Sequence, residues 1–182
     1  MKKDAFTLIE ILVVIAIIML TMSFGMVSFF KFQDHQKVEN TAKEVITYLR
    51  RIQGYAKNGN RGQGQCNVEA SVIAAGTKPL KNWTTTFTEN ELRSRPYCDV
   101  YGNYDYFRLP TNLKFVPNAG NVVFYSLFGN TVSNIANNRI IIHDGTNYYK
   151  FHIYRGAITN GCWCTGSGSS PADICSVPAG EC

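Results

Sequence analysis

The chain has 182 residues, with 18 Lys and Arg against 13 Asp and Glu and a formal charge of +5. Apolar residues make up 45% and aromatic residues 13%, which excludes intrinsic disorder and collagen-like chains. Six cysteines in so short a chain favour an oxidising compartment, and the length suits one ordinary domain, or one domain with an appendage, better than a two-domain enzyme.

From Ile11 to Phe30 no residue is charged. About 20 apolar residues cross the hydrocarbon core as a helix, so the run predicts a membrane span with Lys2 and Lys3 on the cytoplasmic side. It is longer than the apolar region of a secretory signal, and no small-x-small cleavage site follows it. Glu10 stands inside these apolar surroundings. A carboxylate there costs about 2.5–3.5 kcal/mol on insertion scales and is usually paired. No basic residue lies at helical spacing from it. The expected partner is therefore another molecule, or a new amino terminus made by cleavage. The plain alternative is an interfacial Glu at the cytoplasmic edge.

The order Lys2-Lys3-Asp4-Ala5-Phe6-Thr7-Leu8-Ile9-Glu10, followed by the apolar run, resembles the class III signal of type IV pilins and type II secretion pseudopilins. The resemblance implies that a prepilin peptidase cuts between Ala5 and Phe6 and N-methylates Phe6. It implies that the hydrophobic segment is kept as the assembly helix, and that Glu10 neutralises a neighbouring subunit's terminal amine. The partners it implies are other pilin subunits, the peptidase and an inner-membrane assembly platform. The membrane itself holds the helix before assembly into a periplasmic or extracellular filament. Two residues depart from the pattern. Ala5 replaces the usual Gly before the cut, and Asp4 puts an acid in the leader.

Next along the chain, Val38, Ala42, Val45, Ile46, Leu49, Ile52 and Ala56 recur as a one-sided helical stripe. Lys37, Glu39, Lys43, Glu44, Arg50, Arg51 and Lys57 fall mainly on the other faces. A helix from about Phe6 to Lys57 is expected, about 78 Å long if unbroken, at 1.5 Å per residue. Gly25 is its expected weak point, since Gly costs about 1 kcal/mol in a helix interior. Asn58-Gly59-Asn60-Arg61-Gly62-Gln63-Gly64 then reads as a helix stop. It is not a phosphate loop, because such a loop follows a strand and opens a helix.

Beyond Val68 the pattern turns to short β-rich runs: 68–75, 83–88, 104–109, 122–127, 139–143 and 148–154. Tyr149, Phe151 and Ile153 alternate with Lys150, His152 and Tyr154, the period of a half-buried strand. Asp144-Gly145-Thr146-Asn147 marks a hairpin turn. The economical fold class is α+β, a long N-terminal helix packed on an antiparallel sheet with a disulfide-stapled C-terminal tail. The divisions are a leader at 1–5, an assembly helix at 6–30, an amphipathic stalk at 31–57, a β-rich head at 58–160 and a Cys-rich loop at 161–182. Segments within 109–160, among them Leu109-Pro110-Thr111-Asn112-Leu113 and Phe151-His152-Ile153-Tyr154-Arg155-Gly156, are similar to H-type minor pseudopilins and FimT-like minor pilins.

The cysteines are Cys66, Cys98, Cys162, Cys164, Cys175 and Cys182. Structural zinc sites favour Cys-x₂₋₄-Cys pairs, which the tail lacks, so disulfides are expected and no metal or cofactor. Cys66–Cys98 with two bridges inside the tail is the favoured arrangement. Cys162 and Cys164 are too close to bond without strain, and the pairing within the tail is open.

Three function classes follow. Catalysis is disfavoured: no nucleophile-elbow, zincin or phosphate-loop sequence occurs, and His143 and His152 are expected on opposite sheet faces. A filament subunit fits best. The runner-up is a DNA-binding minor pilin acting in DNA uptake. Residues 62–182 hold nine basic and eight acidic side chains, so the head is nearly neutral. The Arg-rich stretch of DNA-binding FimT-like proteins has no counterpart at Gly156-Ala157-Ile158-Thr159. Tyr101, Tyr104 and Tyr106 could stack on single-stranded bases, but the simpler expectation puts them in the core.

Overall fold

The computed structural model describes residues 7–61, 79–117, 119–126, 130–164 and 175; for residues 23–28 and 136 only the backbone is described. The predicted strand at 68–75 lies outside these residues. The chain divides into two compact units, Met1–Lys37 and Val38–Cys182.

Helix α1 spans Leu8–Lys57, 50 residues, and its backbone stays helical through Gly25. The first unit contributes its opening half. Leu8, Ile9, Ile11, Leu12, Val14 and Ile17 are all at least half exposed, so from Ile11 to Met22 the helix shows apolar side chains on every side. The Thr21 hydroxyl donates to the Ile17 and Ile18 carbonyls at 3.1 and 3.0 Å, which satisfies a polar group without water.

In the second unit the predicted stripe is buried throughout. Val38, Ala42, Val45, Leu49, Ile52 and Ala56 are wholly inaccessible and Ile46 nearly so. Thr41, Tyr48 and Gln53 join them, widening the contact beyond the apolar pattern. The helix ends where expected. Gly59 takes a left-handed φ of 65°, and Asn60 and Gly59 donate to the carbonyls of Tyr55 and Ala56 at 2.8 and 3.2 Å. That closure needs a residue without a Cβ penalty at the reversal.

Among the described residues ten strands follow: β1 Asn82–Phe87, β2 Glu91–Tyr97, β3 Asp105–Arg108, β4 Lys114–Val116, β5 Gly120–Tyr125, β6 Thr131–Ser133, β7 Arg139–His143, β8 Tyr148–Tyr154, β9 Ala157–Ile158 and β10 Cys162–Trp163. They form two sheets, β3-β2-β1-β5-β6 and β10-β8-β7-β4, with β9 paired to β8; every pairing is antiparallel. The α+β class holds, with two sheets in place of one. Strands β7 and β8 have the predicted bounds, and Asp144 caps their hairpin by accepting from the Thr146 and Asn147 amides at 2.8 and 2.7 Å.

Strand β2 has no apolar period to announce it, since it reads Glu-Leu-Arg-Ser-Arg-Pro-Tyr. It forms because Leu92 packs inward and Ser94 meets Thr85 of β1, hydroxyl to hydroxyl at 2.8 Å, both fully buried. Pro96 is tolerated because β3 pairs only with Glu91–Ser94, so the missing amide falls beyond its neighbour.

The inner faces meet the helix in one core. Trp83, Phe87, Leu92, Phe115, Phe124, Ile140, Ile142 and Phe151 pack with the helical stripe. Polar ties fix the register. Trp83 Nε1 donates to Asn60 O at 2.8 Å, Arg50 to Ile158 O and Asn160 Oδ1 at 3.0 Å each, and Arg51 pairs with Asp105 at 3.2 Å.

Candidate functional site

Glu10 sits in the first turn of α1. Its Oε2 accepts from the Thr7 backbone amide at 3.2 Å and from the Thr7 hydroxyl at 3.3 Å. The Glu10 and Ile11 amides donate in turn to Thr7 O at 3.1 and 3.4 Å. Thr7 and Glu10 thus stand in the Thr-x-x-Glu spacing of a capping box, with the carboxylate near the positive end of the helix dipole. The sequence alone sends Glu10 to a partner outside the chain. The structure adds one within it, Thr7, whose Thr-x-x-Glu spacing is the signal in the sequence. Ala5 and Phe6 lie outside the described residues.

Among the described residues no helix is long and apolar enough to cross a membrane. The apolar stretch whose side chains are described, residues 8–22, is shorter than the about 20 residues that a span requires.

The second feature is the outer face of the β7–β8 hairpin. Alternation predicts Lys150 and His152 on an exposed face, yet both are buried, as is Ile141 beside them. Cys175, fully buried, lies here; its carbonyl accepts from Arg139 Nη1 at 2.6 Å. It is joined to Cys164, Cα to Cα 4.8 Å, and the Cys164 amide donates to Tyr148 O at 2.9 Å. One expected tail bridge is therefore present. Cys98 and Cys162 are disulfide-bonded as well, and Cys66 and Cys182 lie outside the described residues.

The histidines need a correction. His143 pairs with Tyr148 and Arg139 with His152, so the register puts both imidazoles on the same face, because an odd spacing across a hairpin does not split faces. Four ladder steps separate them, roughly 13 Å at 3.3 Å per residue, too far to act as a pair. Burial lowers the pKa of each; for His152 the neighbouring Lys150 and Arg139 lower it further. Both ring nitrogens of His152 and Nδ1 of His143 are buried without a hydrogen-bond partner among the described residues.

Open cavities border the second unit. One of about 820 Å³, bordered by Leu80, Asn82, Tyr125, Ser126 and Thr131, has Lys81 and Arg155 as its charged groups. One of about 390 Å³ lies between Lys43, Glu44, Tyr48, Arg51 and Phe107. There, burial pushes the Tyr48 phenol up to about 12, and its hydroxyl donates to Asp105 O at 3.1 Å.

The tyrosines also depart from expectation. Tyr101, Tyr104 and Tyr106 are 53, 41 and 51% exposed, because they occupy the outer side of β2–β3 and its connecting loop, not the core.

The first half of the helix thus exposes apolar side chains and opens on a capped carboxylate, and the second half is buried on one side. Residues 1–26 match the prokaryotic N-terminal methylation motif, the class III signal, which supports a type IV pilin-like protein. The motif points to a structural subunit, to assembly with other pilin subunits and to processing by prepilin peptidase. No curated protein and no solved structure matches the chain.

Proposed function

We propose that the chain is a minor pilin or pseudopilin of the H-type or FimT-like group, in a type IV pilus or type II secretion-type filament. The observation that carries this reading is the methylation motif at residues 1–26, running into a helix apolar on every side. In this reading the leader 1–5 is removed, Phe6 becomes the methylated terminus, and residues 11–30 hold the subunit in the inner membrane. Assembly then moves Glu10 from the Thr7 amide to a neighbouring subunit's terminal amine. Both a lone carboxylate and a lone ammonium are costly in hydrocarbon, so their meeting lowers both penalties and sets the axial register. Nothing in this role is catalytic.

The test is the Glu10→Ala chain, compared with the wild type for its share in sheared filaments against its membrane pool. The variant is expected to insert and fold but to enter filaments poorly, and mass spectrometry of wild-type filaments is expected to show an N-terminal methyl-Phe6. Normal incorporation of Glu10→Ala, together with a retained Met1, would sink the proposal.

A further inference from the structure

The outer face of β2 and β3 concentrates what the head lacks on average. Arg93, Arg95 and Tyr97 alternate along β2, opposite the buried Leu92, Ser94 and Pro96. Register with β3 places Tyr106 across from Arg93 and Arg108 across from Glu91, on the same face. Tyr101 lies against Tyr97, ring centroids 4.8 Å apart, and Tyr104 against Tyr106 at 5.7 Å. The Arg95 guanidinium joins the two pairs, 3.7 Å from the Tyr101 centroid and 4.9 Å from that of Tyr104. Lys81 approaches the Tyr97 ring at 5.9 Å. Four cations thus share the patch with two carboxylates. Glu91 is paired with Arg93 and Arg108, and Asp99 with Lys81. Lys81, Arg93 and Arg108 nevertheless keep 53, 48 and 80% of their side-chain surface in solvent.

We infer that this face binds single-stranded nucleic acid, with unpaired bases on the exposed tyrosines and phosphates against Lys81, Arg93 and Arg108. Stacking platforms interleaved with cations are the chemistry by which single strands are held without sequence preference. The net positive charge calls for a polyanion. The exposed rings favour one with free aromatic faces, and the paired rings are tilted by 44 and 41°. Each base of a single strand rotates on its own glycosidic bond and can meet a tilted ring. A duplex keeps its base faces hidden, so exposed rings find no partner on it. Arg95 holds its two tyrosines by cation–π contact, so the platform is ordered before the ligand arrives. The inference extends the DNA-binding alternative to a surface and a strand state, and it does not depend on the filament reading.

The test is fluorescence anisotropy of the full chain in detergent micelles with a fluorescein-labelled 16-residue oligothymidylate. Saturable binding is expected, weakening between 50 and 200 mM salt with a log–log slope of about −2, as three phosphate contacts on a single strand give. Tyr101→Ala with Tyr104→Ala should weaken it at least about tenfold, the loss of one or two stacked bases, without moving the melting temperature. Arg93→Gln with Arg108→Gln should flatten the salt slope. Absence of binding at 50 mM salt overturns the inference. So does equal affinity for a duplex of the same length, or equal displacement by polygalacturonate at matched charge. A failure here with Glu10→Ala still excluded from filaments removes the nucleic-acid surface and leaves the filament reading standing.

Discussion

Replacing Cys164 and Cys175 together by Ser tests whether the bridge between them holds the covered face of the second sheet. The two cysteines are 11 residues apart in sequence. Closing a loop of that length removes denatured-state entropy worth about 2.8 kcal/mol at 25 °C on the chain-entropy relation. For a domain of this size that corresponds to a fall of about 5–10 °C in the melting temperature. The structure also says where the loss should appear. Cys175 and Ile141 are inaccessible, and Lys150 is 2% exposed, on the side of β7–β8 away from the helix. Arg139 donates to Cys175 O at 2.6 Å, and that contact depends on the bridge to keep its geometry. Hydrogen exchange read by mass spectrometry should therefore rise in peptides covering 139–154, while those covering 82–97 in the other sheet stay protected. Near-ultraviolet circular dichroism supplies the melting curve. A double variant that melts within about 2 °C of the wild type, with unchanged exchange at 139–154, would show that the bridge merely decorates a face held by other contacts.

Two further outcomes follow from the same sheet. His152 has a folded pKa below that of an ordinary histidine, so the unfolded chain takes up the proton first as pH falls through about 6.5. Stability should decline below that pH and level off once the folded imidazole is protonated too; His152→Phe should reduce the decline between pH 7.5 and 5 in denaturant titrations, and an identical decline would refute the assignment. His143, lowered by burial in the same sense, adds to the decline. At Gly161 an added Cβ would stand 2.8 Å from Lys150 O and overlap the Tyr149 ring, so Gly161→Ala should cost about 1–3 kcal/mol, and an unshifted melting curve would contradict the close approach.

How much of this was legible beforehand depends on the range of the interactions involved. The helical stripe from Val38 to Ala56, the Asn58–Gly59 stop and the β7–β8 hairpin were readable because each is set by neighbours a few residues apart. The N-terminal motif belongs to the same kind, being a fixed order of charge, small residue, Phe and Glu before an apolar run. Glu10 was visible as an anomaly, although its contact with Thr7 needed the geometry of the first turn.

Tertiary structure alone decided the rest. Strand β2 carries charges and a proline, and only its pairing between β1 and β3 makes it a strand. Alternation along β8 showed which residues share a face, but not that the second face is buried as well, since Cys175 reaches it from 21 residues beyond Tyr154. The count of charges made the head neutral, because a sum over sequence carries no position. Folding gathers Lys81, Arg93, Arg95 and Arg108 around four tyrosines on one side, while Asp105 turns to Arg51 of the helix. Composition bounds a surface's total charge, and register across strands determines where that charge stands.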